Sequence, residues 1–160
     1  GSIDRIDEGP DGGLVVTDYK TGSPTSYRGL DSTTVERGTR LQLPIYGLAA
    51  RVRFGDETTP VHARYWFVTE AAGYVEVGYD LDRSRIDQFH RAVEVIVAGV
   101  RAGHFPARPG ELDSWSGTGT NCRWCDFDRL CPVDRFRQWD RKRSAPELAD
   151  YVRLAEDEPS

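Results

Sequence analysis

Asp18 and Lys20 stand two residues apart in the run Leu14–Gly22, with types and spacing suited to a site that handles negative charge. On a strand, residues two apart point to the same face. Leu14, Val15 and Val16 favour a strand before them, and Gly22, Ser23 and Pro24 signal a turn after them. An acid and a lysine therefore share a face at the end of a buried strand. Such a carboxylate can hold a divalent metal while the ammonium orients water or stabilises developing charge, which is what phosphodiester hydrolysis requires. An ordinary salt bridge on a sheet face uses the same residue types, and the pair alone leaves both readings open.

The cysteines form a second constellation. All three lie close together, Cys122, Cys125 and Cys131, with Pro132 directly after the last. Three thiols cannot all pair as disulfides, and no pattern suggests secretion. A two-residue gap lets two thiolates converge on one metal, and the third can close a tripod; unliganded thiols are the alternative. Tetrahedral zinc and a four-iron cluster each need a fourth ligand. No fourth cysteine exists, so His104, 18 residues before Cys122, is the candidate for zinc. His62 and His90 fall in a strand and a helix and read as ordinary, partly buried residues.

The elements that must position these groups follow from periodicity. Ser2 to Glu8 and Leu14 to Thr21 read as a hairpin across Gly9–Gly13. A polar loop over 22–31 leads to a helix from about Ser32–Thr34 to Arg53, with Leu41, Ile45, Leu48 and Val52 as its apolar stripe and Pro44 as a kink. Gln42 and Tyr46, four apart, share another face of that helix, where a solvated flank is the plain reading. Val61 to Val68 and Tyr74 to Tyr79 form a second hairpin across Glu70–Gly73. A helix over Arg83–Ala102 buries Ile86, Phe89, Val93, Ile96, Val97 and Val100 and stops at Gly103. The order predicts an α/β fold, a mixed sheet flanked by helices, with a C-terminal cysteine module and a helical tail.

Composition narrows the partners. At 160 residues the chain suffices for one domain with a core, and no apolar run approaches a membrane span. The net charge of −5 argues against a generic electrostatic DNA binder. Charge is uneven, though: six arginines fall between Arg28 and Arg64, and seven basic residues between Arg123 and Arg143. A local basic track beside an acidic metal pocket is compatible with nucleic acid. Only Lys20 and Lys142 are lysines, a bias that suggests a GC-rich genome; a bacterial cytoplasmic protein is the expected setting. Methionine is absent, which suggests a segment of a longer protein.

Four motifs occur in one order: Gly1-Ser-Ile-Asp4-Arg-Ile-Asp7; Val16-Thr-Asp18-Tyr19-Lys20-Thr-Gly22; Gln42-Leu-Pro-Ile-Tyr46; and Gly103-His-Phe-Pro106 followed by the cysteine module. Together they resemble the RecB-like nuclease domain of the PD-(D/E)XK superfamily, in the AddB and AdnAB branch, over residues 1 to about 135. The resemblance implies a restriction-endonuclease-like core over 1–106 and a linker and cysteine module over 107–135; residues 136–160 carry no matching motif and read as a helical tail with a charged surface. It also implies metal-dependent DNA cleavage, as an exonuclease joined to a helicase in double-strand-break repair. Asp4 and Asp18, with the carbonyl of Tyr19, would hold Mg2+ or Mn2+. Lys20 would be the catalytic lysine, and Gln42 and Tyr46 would face the site from the helix. Cys122, Cys125 and Cys131 would bind a [4Fe-4S] cluster, with zinc as the alternative. Asp7, an odd number of residues from Asp4, faces away and has a structural role, pairing with an arginine. The family's upstream helix with a metal-binding histidine or glutamate, and its distant first cluster cysteine, are not among these residues. The rival expectations are a non-catalytic scaffold of the same fold that docks DNA or a helicase, and a small zinc-binding module.

Overall fold

In the computed structural model, residues 1–123 and 125–156 are described; the last four residues of the expected tail, 157–160, lie outside them. The chain divides into two compact units, residues 1–94 and residues 95–156.

The first unit is built on a four-stranded sheet in the order β1-β2-β3-β4: β1 (Arg5–Glu8), β2 (Leu14–Lys20), β3 (Val61–Phe67) and β4 (Glu76–Asp80). The β1–β2 and β3–β4 pairs are antiparallel hairpins, whereas β2 and β3 run parallel. A parallel pair needs a crossover, and helix α1 (Gln42–Phe54) provides it. The sheet is therefore mixed and flanked by helices, as the periodicity predicts. Gly12, at φ 76°, makes the β1–β2 turn, closed by Gly9 N donating to Gly13 O at 2.7 Å. Gly73, at φ 70°, ends a short 3-10 turn before β4.

Strand alternation sorts the two faces. Val16, Val61, Ala63, Tyr65, Phe67 and Tyr79 are buried in one cluster with Leu43 and Ala50 of α1. Each full-sized apolar side chain buried this way contributes about 1.5–3 kcal/mol. Thr17, Arg64 and Glu76 occupy the opposite face, where Arg64 Nε donates to Thr17 Oγ1 at 3.1 Å and Arg64 Nη1 bonds Glu76 at 2.8 Å.

Helix α1 departs from its expected limits and phase. Residues 32–41 are turns, not helix, and Glu36, Arg37 and Gly38 all have positive φ. Pro44 sits in the first turn, where its missing N–H costs no helical bond, so it starts the helix and does not kink it. The buried positions are Leu43, Pro44, Gly47 and Ala50, while Ile45 is 46% and Val52 86% exposed. The expected stripe therefore lies partly in solvent. Small residues let the helix approach the sheet closely: a Cβ on Gly47 would lie 2.9 Å from Leu81 Cδ2 and 3.3 Å from Val61 Cγ1.

Helix α2 (Arg83–Arg101) has the expected span, but only Phe89 and Ala92 of it are buried, and Val97 and Val100 are exposed. Ile86 packs on the first unit's core. The second unit holds α3 (Arg135–Lys142) and α4 (Ala149–Glu156), with Trp139 edge-on to Tyr151 at 6.2 Å. Arg108 Nη2 donates to Ala155 O at 2.8 Å in the same unit. No described helix is long and apolar enough to cross a membrane.

Candidate active site

The last residues of β2 carry the expected acid and lysine on the face covered by α1. Asp18 is buried, and its two carboxylate oxygens have different surroundings. Oδ1 accepts from Gln42 Nε2 at 2.7 Å. Oδ2 is buried and is met by the Lys20 ammonium in an ion pair; among the described residues it has no other polar partner.

Gln42 opens α1 and uses both ends of its amide. Nε2 faces the Asp18 carboxylate and also donates to the Tyr46 hydroxyl at 3.2 Å; Oε1 accepts from Lys20 Nζ at 3.3 Å. A carboxylate only accepts and an ammonium only donates, so these partners fix the amide's orientation. Tyr46 lies one turn further along α1, where an (i, i+4) neighbour must lie. Gln42 and Tyr46 are therefore half-buried members of a bonded cluster, not a solvated flank.

Asp4 comes from the edge. One step beyond the Arg5–Thr17 pair of the antiparallel register, it falls opposite Asp18. Its Oδ2 accepts the Tyr19 N–H at 2.9 Å, which ties the carboxylate to the backbone between Asp18 and Lys20. Asp4 is exposed, so a ligand can reach it from solvent. Asp7 pairs with Arg5, at 2.7–2.9 Å, and those hydrogen bonds hold its carboxyl below the usual carboxylate range.

Tyr65 completes the cluster, and the sequence reading missed it. The parallel register places it across from Asp18, and Lys20 Nζ lies over its ring, 4.9 Å from the centroid. Tyr27 meets the same ring edge-on at 4.9 Å. Burial, helped by Tyr27 and the Asp18 charge, pushes the Tyr65 hydroxyl well above the ordinary tyrosine range. The available signal was the alternation Val61, Ala63, Tyr65, Phe67, which puts Tyr65 on the core face; its neighbour in β2 follows only from strand pairing.

This arrangement suits a hard divalent cation. A buried carboxylate is costly unless a charge meets it; here Lys20 meets Asp18 Oδ2, and a second carboxylate, that of Asp4, stands opposite Asp18 in the register. Oxygen donors favour magnesium or manganese over zinc. Among the described residues no three His, Cys, Asp or Glu side chains gather around one point, so Asp4 and Asp18 are the carboxylates that could hold a cation here.

Among the described residues the three cysteines do not gather around one point. Cys122 and Cys131 are half-buried and Cys125 is exposed; all three are free thiols, and as placed they do not fit a cluster or a zinc ion. His104 lines a cavity of about 300 Å3 with Val95, Gly99, Leu148 and Tyr151. At least three of the six arginines between Arg28 and Arg64 are engaged within the fold. Arg40 bonds Glu36 at 2.7 Å, Arg51 donates to Leu81 O at 3.1 Å, and Arg64 holds Glu76. These three offer little to a phosphate track.

The family model for the PD-(D/E)XK nuclease superfamily matches residues 1–132. No curated protein and no solved structure is a significant match.

Proposed function

The chain belongs to the PD-(D/E)XK nuclease superfamily, which implies metal-dependent nuclease chemistry, and from that premise we propose that it hydrolyses DNA phosphodiester bonds at Asp4, Asp18, Lys20, Gln42 and Tyr46. The observation that carries this reading is the buried Asp18 Oδ2, which faces Lys20 and has no other polar partner among the described residues. Asp18, Asp4 and the Tyr19 carbonyl would hold magnesium or manganese. When bound there, such an ion supplies Lewis acidity toward a phosphate oxygen and lowers the pKa of coordinated water.

The chain's own residues supply the rest. Gln42 pins Asp18 Oδ1 so that Oδ2 keeps one direction. Tyr46 limits the motion of that amide. Lys20, held by Gln42 Oε1, presents a positive charge where negative charge grows on the phosphate during attack. Asp4 and the Tyr19 amide join the edge strand to the site and leave the Asp4 carboxylate open to solvent.

The finer reading is an exonuclease acting on DNA ends beside a helicase in double-strand-break repair, in a bacterial cytoplasm. It rests on the motif order, as does a [4Fe-4S] role for Cys122, Cys125 and Cys131, which needs a fourth ligand and some rearrangement of the thiols. Broad absorbance near 400 nm, roughly as expected of an iron–sulfur protein, supports the cluster; bound zinc without that absorbance removes it. The internal bonding of Arg40, Arg51 and Arg64 and the net charge of −5 favour a second reading, a docking scaffold of the same fold.

Cleavage of labelled single- and double-stranded DNA in Mg2+, by the wild type and Lys20→Ala, separates the two. Hydrolysis that depends on Lys20 supports the enzyme. Cleavage undiminished in Lys20→Ala removes the proposed role, and DNA binding without any cleavage supports the scaffold.

A further inference from the structure

Lys20 Nζ has three neighbours in the site: the Asp18 carboxylate, Gln42 Oε1 at 3.3 Å, and the face of Tyr65, 4.9 Å from the ring centroid. Two of these are tied to the cation site. Asp18 is its proposed ligand, and Gln42 holds Asp18 Oδ1 through Nε2. A cation at Asp18 therefore weakens the ion pair that holds Lys20 and strains the amide beside it. The ring is independent of that competition.

Tyr65 is also held firmly. It is fully buried on β3, directly across from Asp18. Tyr27 packs edge-on against it at 4.9 Å, and Tyr27 in turn packs against Phe67 at 5.2 Å. An aromatic face carries the negative part of the ring quadrupole and attracts an ammonium placed over it.

We propose that Tyr65 is the positioning residue for Lys20: its ring face holds the ammonium in place when a cation takes over the Asp18 carboxylate. The proposal rests on the hydrolytic reading of Lys20 given above. It predicts that the ring, and not the hydroxyl, matters.

Lysine usage makes a direct test feasible, because Lys20 and Lys142 are the only lysines. Protein labelled with 13C at lysine Cε gives two methylene signals, and Lys142→Arg assigns them. The Lys20 signal is expected upfield from ring current in the wild type and in Tyr65→Phe, in both metal-free and Mg2+-loaded protein. Tyr65→Leu loses the shift. In DNA cleavage, Tyr65→Phe is expected within about twofold of wild type, whereas Tyr65→Leu loses about 3- to 30-fold in kcat, the range of one cation–π contact. Its Mg2+ half-saturation stays unchanged, which a merely structural defect at a core tyrosine would not spare. An unshifted Lys20 signal in the wild type, loss of the shift when Mg2+ is added, or wild-type kcat in Tyr65→Leu overturns the proposal. Should Tyr65→Leu fail to fold, the Mg2+ titration of the wild-type spectrum decides it alone. A preserved ring shift with full cleavage by Lys20→Ala overturns the hydrolytic premise itself, a result distinct from loss of the contact.

Discussion

Gln42 Nε2 donates to Asp18 Oδ1 at 2.7 Å, while the neighbouring Oδ2 faces Lys20 and has no other polar partner among the described residues. One oxygen is thereby fixed and the other left for a charged partner. In the proposed metal site Gln42 supports the ligand Asp18, and loss of such a support costs about 10–100-fold in metal affinity. Gln42→Ala is expected to weaken Mg2+ binding by that order while leaving the fold intact, as calorimetry and circular dichroism would show. Gln42→Glu places a second carboxylate against Asp18. It should lower stability in chelator and regain it in Mg2+, because like charges then share a counter-ion.

Lys20→Ala removes the ion-pair partner of a buried carboxylate. In chelator the variant is expected to lose up to about 3 kcal/mol in a denaturant titration, at the low end for a broken buried pair because Lys20 is half-exposed. Mg2+ should return much of that loss by binding the folded state. Cleavage, by contrast, should stay about 100–1,000-fold below wild type at saturating Mg2+, the cost of one group that stabilises transition-state charge.

Two glycines differ in what a methyl group would meet. A Cβ on Gly78 would lie against Ala63 O and 2.6 Å from Arg64 Cα, backbone atoms of the neighbouring strand that cannot step aside. A Cβ on Gly47 meets the methyl end of Leu81, which can turn away. Gly78→Ala is expected to destabilise by about 3 kcal/mol through overpacking. Gly47→Ala should stay within about 1 kcal/mol of wild type, because gained helix propensity offsets the crowding. Denaturant midpoints measured side by side would show the order.

Burial raises the Tyr65 and Tyr79 hydroxyls above the ordinary tyrosine value, and Tyr79 also donates to Thr34 O at 3.1 Å. A raised folded-state pKa means that the stability is complete below the unfolded value of about 10 and is lost as pH rises beyond it. Stability should therefore hold through neutral pH and fall above about pH 10. Tyr65→Phe should flatten that alkaline decline, and a series of denaturant midpoints across pH would detect it.

Much of the site was legible because strands have a period of two. Asp18 and Lys20 share a face for that reason, and the β1–β2 hairpin brings Asp4 opposite them. The phase of α1 was not legible. Its buried face uses Gly47 and Ala50, and counting large apolar residues selects Ile45 and Val52 instead. Three successive positive φ values at Glu36, Arg37 and Gly38 hold residues before α1 out of the helix; Gly38 is the one local signal of it, since glycine favours positive φ, whereas Glu36 and Arg37 are ordinary helix formers. Tyr65 was hidden for a different reason. Its place beside Lys20 depends on the parallel pairing of β2 with β3, a contact between residues far apart in the chain. The cysteine spacing suggested a tripod that the described residues do not assemble.

The central claim is that Asp18 Oδ2, which faces Lys20 in this structure, takes a divalent cation. Calorimetric titration of Mn2+ into the wild-type protein and Asp18→Asn, both checked for folding, tests it most directly. The account predicts saturable binding by the wild type and binding at least about tenfold weaker in Asp18→Asn, as for loss of a ligand or its support. Equal binding by the two proteins, or none by the folded wild type, would contradict it.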